Sequence, residues 1–366
     1  MTDREGDRSD SGRGPHPPQP GRGTAASTSS PTPRVAVAIL NHNGRELLDL
    51  IIPSVLAQTL DGVRLLVVDN GSTDGSATHC RERWPNAEVL ELGSEIGVAA
   101  ALNRGVQACR DSEYIALLNN DVELDRGWLQ QLVRVLDEHP GAASATGKTY
   151  NFFQRDLLDG TGDIIMPCGA ATRRGLGEPD DGRYEQPGPV FSACAGVALY
   201  RTSAFADIGG FDEDFFAYQE DVDWGFRAQL RGFTARYEPG AVAWHMSGAT
   251  TRREWPRFNY LQRRNQVLVV IKCYPLRILV RHLPSILSYQ AGWLVDAARK
   301  GELSRQLAAL SAVVVQLPRT IAKRRRIQAT RSVGLAQIEA ILTPPPHSRE
   351  TIAERARRLR RLLGAP

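Results

Sequence analysis

The sequence predicts an α/β fold built on a mostly parallel sheet with helices on its faces, followed by a helical C-terminal region. From residue 34, four short β-branched runs alternate with four amphipathic stretches. The runs predict strands at 34–40, 63–69, 87–92 and 113–119, and the stretches predict helices at 44–59, 74–84, 98–110 and 125–139. Because helical crossovers join parallel strands, four such repeats predict a parallel sheet covered on both faces.

The alternation ends at Gly141, and the rest of the chain divides by composition. Residues 168–190 are rich in Gly and Pro and predict a long surface loop. Beyond them we predict a strand at 191–201, a short helix at 202–209, a turn and helix at 209–233 and a strand at 234–245. The predicted segments are a disordered N-terminal segment 1–33, an α/β domain 34–255, a helical region 256–330 and a basic tail 331–366 with a further helix at 348–363.

Composition excludes several classes of protein. The chain has 366 residues, 42% of them hydrophobic, and a net charge of +4, which argues against a nucleic-acid partner. The first 33 residues lack the apolar segment of a secretory signal, and no run of about 18 uncharged apolar residues occurs. The five cysteines form no C-x-x-C pair, which argues against a disulfide framework or a thiolate zinc site. We therefore expect a cytoplasmic protein.

Polar clusters follow two of the predicted strands. Asp69 closes the second strand, and Asn119, Asn120 and Asp121 close the fourth. Taken alone, the cluster at Asp69 is more typical of a turn than of a site, and Asp121 is typical of a helix cap or a turn. Two acidic strand ends at one sheet edge favour a ligand crevice, where carboxylates suit Mg²⁺ or Mn²⁺ carrying a diphosphate. His245 follows another predicted strand and is a candidate nitrogen ligand, with a structural role as the alternative.

A window at 209–233 combines six acidic side chains with seven aromatic ones. An acidic amphipathic helix with a solvated face is one interpretation. We expect Asp212 and Asp214 to act as turn and capping acids, and Asp223 to pair with Arg227 one helical turn later. The aromatic residues Phe215, Phe216, Tyr218 and Trp224 would supply apolar walls and a stacking surface for a sugar.

Five motifs together resemble those of one enzyme family, in the family's order. They are "VAVAILNHNGRELLDLIIPSVLAQT", "VVDNGSTDGS", "LLNNDVELDRGWLQQLV", "GGFDEDFFAYQEDVDWGFRAQLRGF" and "YLQRRNQVLVVIKCYP". From about residue 34 to about residue 330 the chain is similar to family 2 glycosyltransferases, which are inverting enzymes of the GT-A fold. Within them it resembles the bacterial rhamnosyltransferase-like branch that builds cell-surface polysaccharide. The resemblance implies that residues 34–255 form the catalytic domain.

The resemblance also implies roles for particular residues in donor binding. Asn41 and His42 fall where the family contacts the nucleotide base, and Asp69 matches the acid that accepts a hydrogen bond from the pyrimidine imide. Asn119, Asn120 and Asp121 stand at the D-x-D motif, with Asn119 in place of the first acid and Asp121 as the last.

The resemblance implies roles for two further positions, one in metal binding and one in catalysis. His245 lies where related members place a histidine that contacts the metal. Asp221, in the Glu220–Asp221 pair, matches the catalytic base that removes the proton from the acceptor hydroxyl.

The C-terminal region indicates contact with a membrane surface or with protein. From residue 321 onward there are eleven Lys or Arg against three Glu, and the cluster "KRRR" occupies 323–326. Long helices with an apolar side and such a cluster would lie along anionic lipid, and an ordinary helical subdomain or dimer face is the alternative. The "RRN" at 263–265 fits either a phosphate contact or surface salt bridges.

The leading hypothesis is an inverting, metal-dependent glycosyltransferase at the inner face of the cell membrane. Its donor would be a pyrimidine nucleotide-sugar, with dTDP-L-rhamnose as one candidate, and its acceptor a saccharide or a lipid-linked saccharide. A sugar-nucleotide nucleotidylyltransferase would need a Gly- and basic-rich phosphate loop after the first strand, where only Arg45 is basic. A catalytically silent carbohydrate-binding scaffold is the third hypothesis.

Overall fold

Twelve strands and ten α-helices make up the computed structural model over residues 33–247 and 255–343, the ranges that the structure describes. The strands are β1 Val35–Asn41, β2 Arg64–Asp69, β3 Glu88–Glu91, β4 Tyr114–Asn119, β5 Val122–Leu124, β6 Ala142–Asn151, β7 Leu158–Gly160, β8 Asp163–Ile165, β9 Ala171–Arg173, β10 Gly188–Val190, β11 Val197–Arg201 and β12 Thr234–His245. The helices are α1 Arg45–Leu56, α2 Ser76–Arg83, α3 Val98–Ala108, α4 Trp128–Glu138, α5 Thr202–Ile208, α6 Glu220–Leu230, α7 Trp255–Cys273, α8 Leu276–Arg299, α9 Leu303–Ala329 and α10 Leu335–Ile341.

Ten of these strands form one mixed sheet whose parallel part is the predicted one. The main path is β10-β12-β6-β11-β4-β1-β2-β3, with β5 beside β12 and β7 beside β6, while β8 and β9 form a separate hairpin. β1 pairs in parallel with β2 and β4, and β2 pairs in parallel with β3. The α/β fold with a mostly parallel core is therefore confirmed.

The parallel part of the sheet is buried on both faces because β1 and β4 are apolar along their length up to one polar residue at the carboxyl end. Along β1, Val37 and Ile39 pack in one apolar core with α1 and α4. Ala38 points to the other face, into a core that includes α3, α5 and the Trp224 side chain of α6. The parallel register aligns Asn41 with Asp69 and Leu40 with Asn119, so the polar ends of three strands meet at one edge.

The segment between α4 and α5 holds more structure than its composition predicts. β6 lies in the middle of the sheet, and β9 and β10 fall inside the stretch 168–190 that we predicted as a long loop. The strand predicted at 191–201 is shorter, because the ladder with β4 and β6 lies within Val197–Arg201. The predictions for residues 1–32 and for a helix at 348–363 fall outside the described residues.

Three long helices follow β12 and pack against α6 in a third apolar core. Half of the "KRRR" cluster is turned toward the protein: Lys323 forms ion pairs with Asp212 and Asp214, and Arg324 donates to the carbonyl oxygens of Ile271 and Tyr274. Only Arg325 and Arg326 are exposed. Ile338 and Leu342, in the predicted tail, are buried in the same core. No helix in the described ranges is long and apolar enough to span a bilayer.

Candidate active site

A cavity of about 390 Å³ opens at the sheet edge where β1 and β4 end. Seven of the nine predicted site residues line it: His42, Asn119, Asn120, Asp121, Glu220, Asp221 and His245. The other two, Asn41 and Asp69, are buried and do not line the wall. The fold thus brings together residues that lie up to about 200 positions apart in the sequence, as expected for the carboxyl edge of an α/β sheet.

Asn41 and Asp69 belong to a hydrogen-bonded layer beside the cavity. Asn41 Nδ2 donates to Asp69 Oδ2 at 3.1 Å, and Asn41 Oδ1 accepts from Asn120 Nδ2 at 2.7 Å. Gly44 makes this layer possible, because a β-carbon there would lie 2.0 Å from Asn120 Nδ2. His42 donates from Nδ1 to the carbonyl oxygen of Asn70 at 2.9 Å, which fixes its ring at the cavity wall. The layer therefore links the strand end that carries Asp121 to the strand end that carries Asp69.

Asp121 and His245 meet because β5 pairs with the end of β12. In that pairing His245 is aligned with Val122, and the Met246 amide donates to the Asp121 carbonyl oxygen at 3.0 Å. The imidazole Nε2 lies 3.1 Å from Asp121 Oδ1. This contact is an ion pair without hydrogen-bond alignment, because no donor in the described residues satisfies Asp121 Oδ1. A buried carboxylate oxygen without a donor is the kind of atom that a cation would complete.

A second acid, which the sequence analysis did not single out, contacts the other ring nitrogen of His245. Asp159 on β7 is buried, lies 2.8 Å from His245 Nδ1, and also contacts Arg173 and Ser247. Burial would raise the pKa of Asp159, but Arg173 and His245 outweigh it and lower that pKa to about 2. Burial would lower the pKa of His245, but Asp121 and Asp159 raise it to about 10. Asp159 thus fixes the orientation of the ring.

The opposite wall carries the predicted base. Asp221, in the first turn of α6, accepts from the Val222 amide at 2.8 Å through Oδ1 and from the Ala195 amide at 3.4 Å through Oδ2. Burial and the neighbouring Asp221 raise the pKa of Glu220 to about 8. Asp163 on β8 is also buried and accepts from Ser192 Oγ at 2.8 Å. Burial and Asp221 raise the pKa of Asp163 to about 8 as well. Glu220 and Asp163 are therefore mostly protonated at neutral pH.

The remaining acids of the window at 209–233 have structural partners. Asp212 accepts from the Asp214 amide at 3.2 Å, as expected for a capping acid, and also forms ion pairs with Lys272 and Lys323. Asp223 pairs with Arg227 at 2.9 Å, as predicted, and with Lys272 at 2.6 Å. The window accommodates six acids because three of them meet cations, two of them reach the cavity and the sixth, Glu213, is exposed.

The predicted aromatic walls are only half correct. Phe216 and Tyr218 line the cavity. Phe215 and Trp224 are buried in the apolar cores, and Trp224 donates from its indole nitrogen to the Gly209 carbonyl oxygen at 2.9 Å. Trp224 packs at an angle against Tyr200 and Phe205, so it stabilises α6 and offers no surface to a ligand.

Comparison with known proteins identifies the family. Residues 36–209 match the model of glycosyl transferase family 2. Residues 36–209 thus form a glycosyl transferase family 2 domain. In this glycosyltransferase the strand ends at the sheet edge and Asp121 lie inside the matched range. Asp221 and His245 lie beyond it. The family assignment favours the transferase hypothesis over the nucleotidylyltransferase one.

Curated relatives of this glycosyltransferase come from mycobacteria, among other bacteria. It is 28% identical over 218 residues to the N-acetylglucosaminyl-diphospho-decaprenol L-rhamnosyltransferase of Mycobacterium tuberculosis, an alignment covering 52% of this chain and 69% of the relative. It is 31% identical over 206 residues to the pre-mycofactocin glycosyltransferase of the same organism, covering 55% of this chain but 41% of that relative.

Solved structures show the fold of the glycosyltransferase. Staphylococcus aureus TarS aligns with a TM-score of 0.54 at 15% identity, over 84% of this chain and 55% of TarS. GalNAc-T7, solved with UDP, GalNAc and Mn²⁺, aligns with a TM-score of 0.52 at 15% identity, over 66% of this chain and 48% of its own. The GT-A fold is thereby confirmed.

Proposed function

We propose that this glycosyltransferase moves a sugar, with inversion, from a pyrimidine nucleotide-sugar to a saccharide or lipid-linked acceptor in cell-surface polysaccharide synthesis. The observation that carries the proposal is one cavity lined by Asp121 and His245 on one side and by Asp221 on the other. A relative that transfers L-rhamnose to a decaprenol-linked sugar supports dTDP-L-rhamnose as the candidate donor and a lipid-linked saccharide as the candidate acceptor.

In this proposal the donor enters along the strand ends. His42 and Asn120 line the pocket for the base, the layer of Asn41 and Asp69 lies behind them, and the diphosphate extends toward Asp121. The Asp69 carboxylate accepts from the Ser72 amide at 2.9 Å and from Asn41 Nδ2 at 3.1 Å, so it fixes the layer behind the pocket for the base.

The residues at the metal end fit a divalent cation with few protein ligands. Asp121 Oδ1 has no hydrogen-bond donor among the residues that the structure describes, His245 Nε2 lies beside it, and Asp159 accepts from the other ring nitrogen. Within residues 33–247 and 255–343 no three His, Cys, Asp or Glu side chains are arranged to hold a metal, so phosphate and water would supply the other ligands. Asp121 and His245 would hold Mg²⁺ or Mn²⁺, and His245 would first lose its Nε2 proton, because only a neutral imidazole nitrogen binds a metal. The ion, when bound, would offset negative charge on the leaving diphosphate.

Asp221 performs the proton transfer. Its carboxylate accepts the proton of the acceptor hydroxyl as that oxygen bonds to the anomeric carbon, and the bond from that carbon to the nucleoside diphosphate breaks on the opposite face. Glu220 and Asp163 hold their protons at neutral pH, so they crowd Asp221 without adding two more negative charges.

Thermal unfolding in the presence of UDP, dTDP, GDP or CMP, each with and without Mn²⁺, tests this function without knowledge of the acceptor. Ligand at 100 times its Kd stabilises the native state by about 2.7 kcal/mol, enough to raise Tm by several degrees. We expect UDP or dTDP to stabilise the protein in a Mn²⁺-dependent manner and GDP to do so weakly. Equal shifts for all four nucleotides, or no shift, would contradict the proposed donor class.

We further propose that α8 and α9 contact an anionic membrane surface at the cytoplasmic side. Leu276, Val280, Leu283 and Leu287 form one stripe along α8, with exposures of 66, 61, 42 and 59%, and Arg277 and Arg281 flank it. Between Arg281 and Asp296 no Asp, Glu, Lys or Arg occurs, and the same holds between Arg305 and Arg319 of α9. An apolar stripe with a basic border is typical of a helix lying in the lipid interface.

Flotation with phosphatidylglycerol-containing vesicles tests the membrane contact. The variant Leu283→Glu/Leu287→Glu should lose at least about tenfold in vesicle binding, since two charges enter the apolar stripe. The matched control is Leu56→Glu/Phe153→Glu, which places the same charges on side chains exposed by 60 and 65% in the sheet domain. Equal flotation of both variants would contradict the lipid surface and favour a protein partner for α8.

A further inference from the structure

The turn that leads into α6 holds a strained backbone. Phe216, Tyr218 and Gln219 have φ angles of 66°, 70° and 69°, in the left-handed region that favours glycine. Phe216, with ψ of −63°, is the centre of a γ-turn closed by the Ala217 amide, which donates to the Phe215 carbonyl oxygen at 2.8 Å. Each such residue costs on the order of 1–3 kcal/mol, so surrounding contacts must hold the turn in place.

Those contacts come from two adjacent residues of α7. Asn265 Nδ2 lies 3.0, 2.9 and 2.8 Å from the carbonyl oxygens of Phe215, Ala217 and Tyr218. Arg264 donates to the carbonyl oxygens of Asp214 and Phe215 at 3.0 and 2.8 Å. Arg264 Nε also donates to Asn265 Oδ1 at 2.9 Å, which directs the amide NH₂ toward the turn.

These contacts exclude, for Arg264 and Asn265, the two roles that the sequence analysis considered for residues 263–265. Asn265 is fully buried and Arg264 is 9% exposed, and both donate to backbone oxygens of the turn. They are therefore neither surface salt-bridge residues nor phosphate contacts.

We propose that Arg264 and Asn265 are positioning residues that hold the strained turn and thereby set the place of the base Asp221 in the cavity. The proposal rests on the proposed role of Asp221. The turn ends at Gln219, which caps α6, so its backbone sets the position of the two residues that follow. Phe216 and Tyr218 of the same turn line the cavity, and Phe216 O accepts from the Ala99 amide of α3 at 3.1 Å. A displacement of about 1 Å at a reacting group can cost about 100-fold in rate.

Asn265→Ala tests the proposal with Gln266→Ala as its matched control. Gln266 is the next residue of α7, is 5% exposed, and donates to the Gly169 carbonyl oxygen at 3.0 Å, away from the turn. Hydrogen–deuterium exchange of a peptide spanning 214–222 should speed up at least about tenfold in Asn265→Ala and remain unchanged in Gln266→Ala. This readout requires no substrate.

Turnover is measured as hydrolysis of dTDP-L-rhamnose and of UDP-sugars, with water as acceptor. In Asn265→Ala, kcat should fall by about 30-fold or more with the donor KM within about threefold, because the base is displaced and the donor pocket is not. Adding Gln219→Gly should recover part of kcat, since glycine adopts the left-handed conformation without strain.

Unchanged exchange in Asn265→Ala, or an equal kcat loss in Gln266→Ala, would overturn the proposal. A wild-type protein without turnover would count against the donor class alone, and exchange would still decide the role of Asn265.

Discussion

Asp221→Asn should lower the rate of sugar transfer by about 1000-fold or more and leave nucleotide affinity within about threefold of wild type. Asparagine keeps an oxygen for the Val222 amide and loses only the 3.4 Å contact with the Ala195 amide, so the local fold should survive. It cannot take a proton from the acceptor hydroxyl, and general-base catalysis contributes about 10²–10⁴ in rate. Steady-state kinetics give kcat, and thermal shifts with the preferred nucleotide give binding.

Glu220→Gln is the informative companion to this variant. Because Glu220 is mostly protonated at neutral pH, a neutral amide of the same shape changes little charge, and we expect a loss smaller than about tenfold. If Glu220→Gln is inactive while Asp221→Asn retains substantial turnover, the two roles are reversed and Glu220 is the base.

The second large effect is expected at Asp121. Asp121→Asn should weaken Mn²⁺ binding by about 100-fold or more, measured by titrating Mn²⁺ into the protein saturated with UDP or dTDP, because an amide oxygen carries no charge to hold the cation. Asp159→Asn should weaken Mn²⁺ binding by about 10–100-fold, since that side chain orients His245.

The control for the metal series is Asp49→Asn, a change of the same kind at an exposed acid on α1. It should leave the Mn²⁺ titration unchanged. An Asp121→Asn protein that binds Mn²⁺ as well as wild type does would place the metal elsewhere or remove it from the mechanism.

Local pattern was sufficient for most of the parallel core because β1, β2 and β4 are apolar on both faces and α1, α3 and α4 each have one apolar side. It was insufficient for β6, whose sequence "AASATGKTYN" alternates weakly and consists largely of small residues. In the sequence, Gly147 argues against a strand. In the structure, β6 requires glycine at this position, because a β-carbon there would lie 1.8 Å from the Ala241 carbonyl oxygen. Such close approach of two strands is a tertiary property that no short window contains.

The same distinction applies to the candidate site. Asp121 and Asp221 could be found because strand ends and a family motif mark them. Asp159, Asp163 and Arg173 come from strands of three residues in a Gly- and Pro-rich segment, and only packing brings them to the cavity. The roles of Arg264 and Asn265 likewise depend on a turn about 50 residues earlier in the chain.

The ion pairs around Asp212 and Asp223 also determine how the chain can be divided. Asp223 is fully buried, and its cation Lys272 belongs to α7, while Lys323 of α9 reaches Asp212. Breaking a buried pair by removing one partner costs about 3–5 kcal/mol, a large share of the 5–15 kcal/mol that stabilises a typical domain. A fragment ending near residue 255 would keep these acids and lose both lysines. We therefore expect the sheet and the helices after it to denature as a single cooperative unit, and the minimal autonomous enzyme to extend at least through α9.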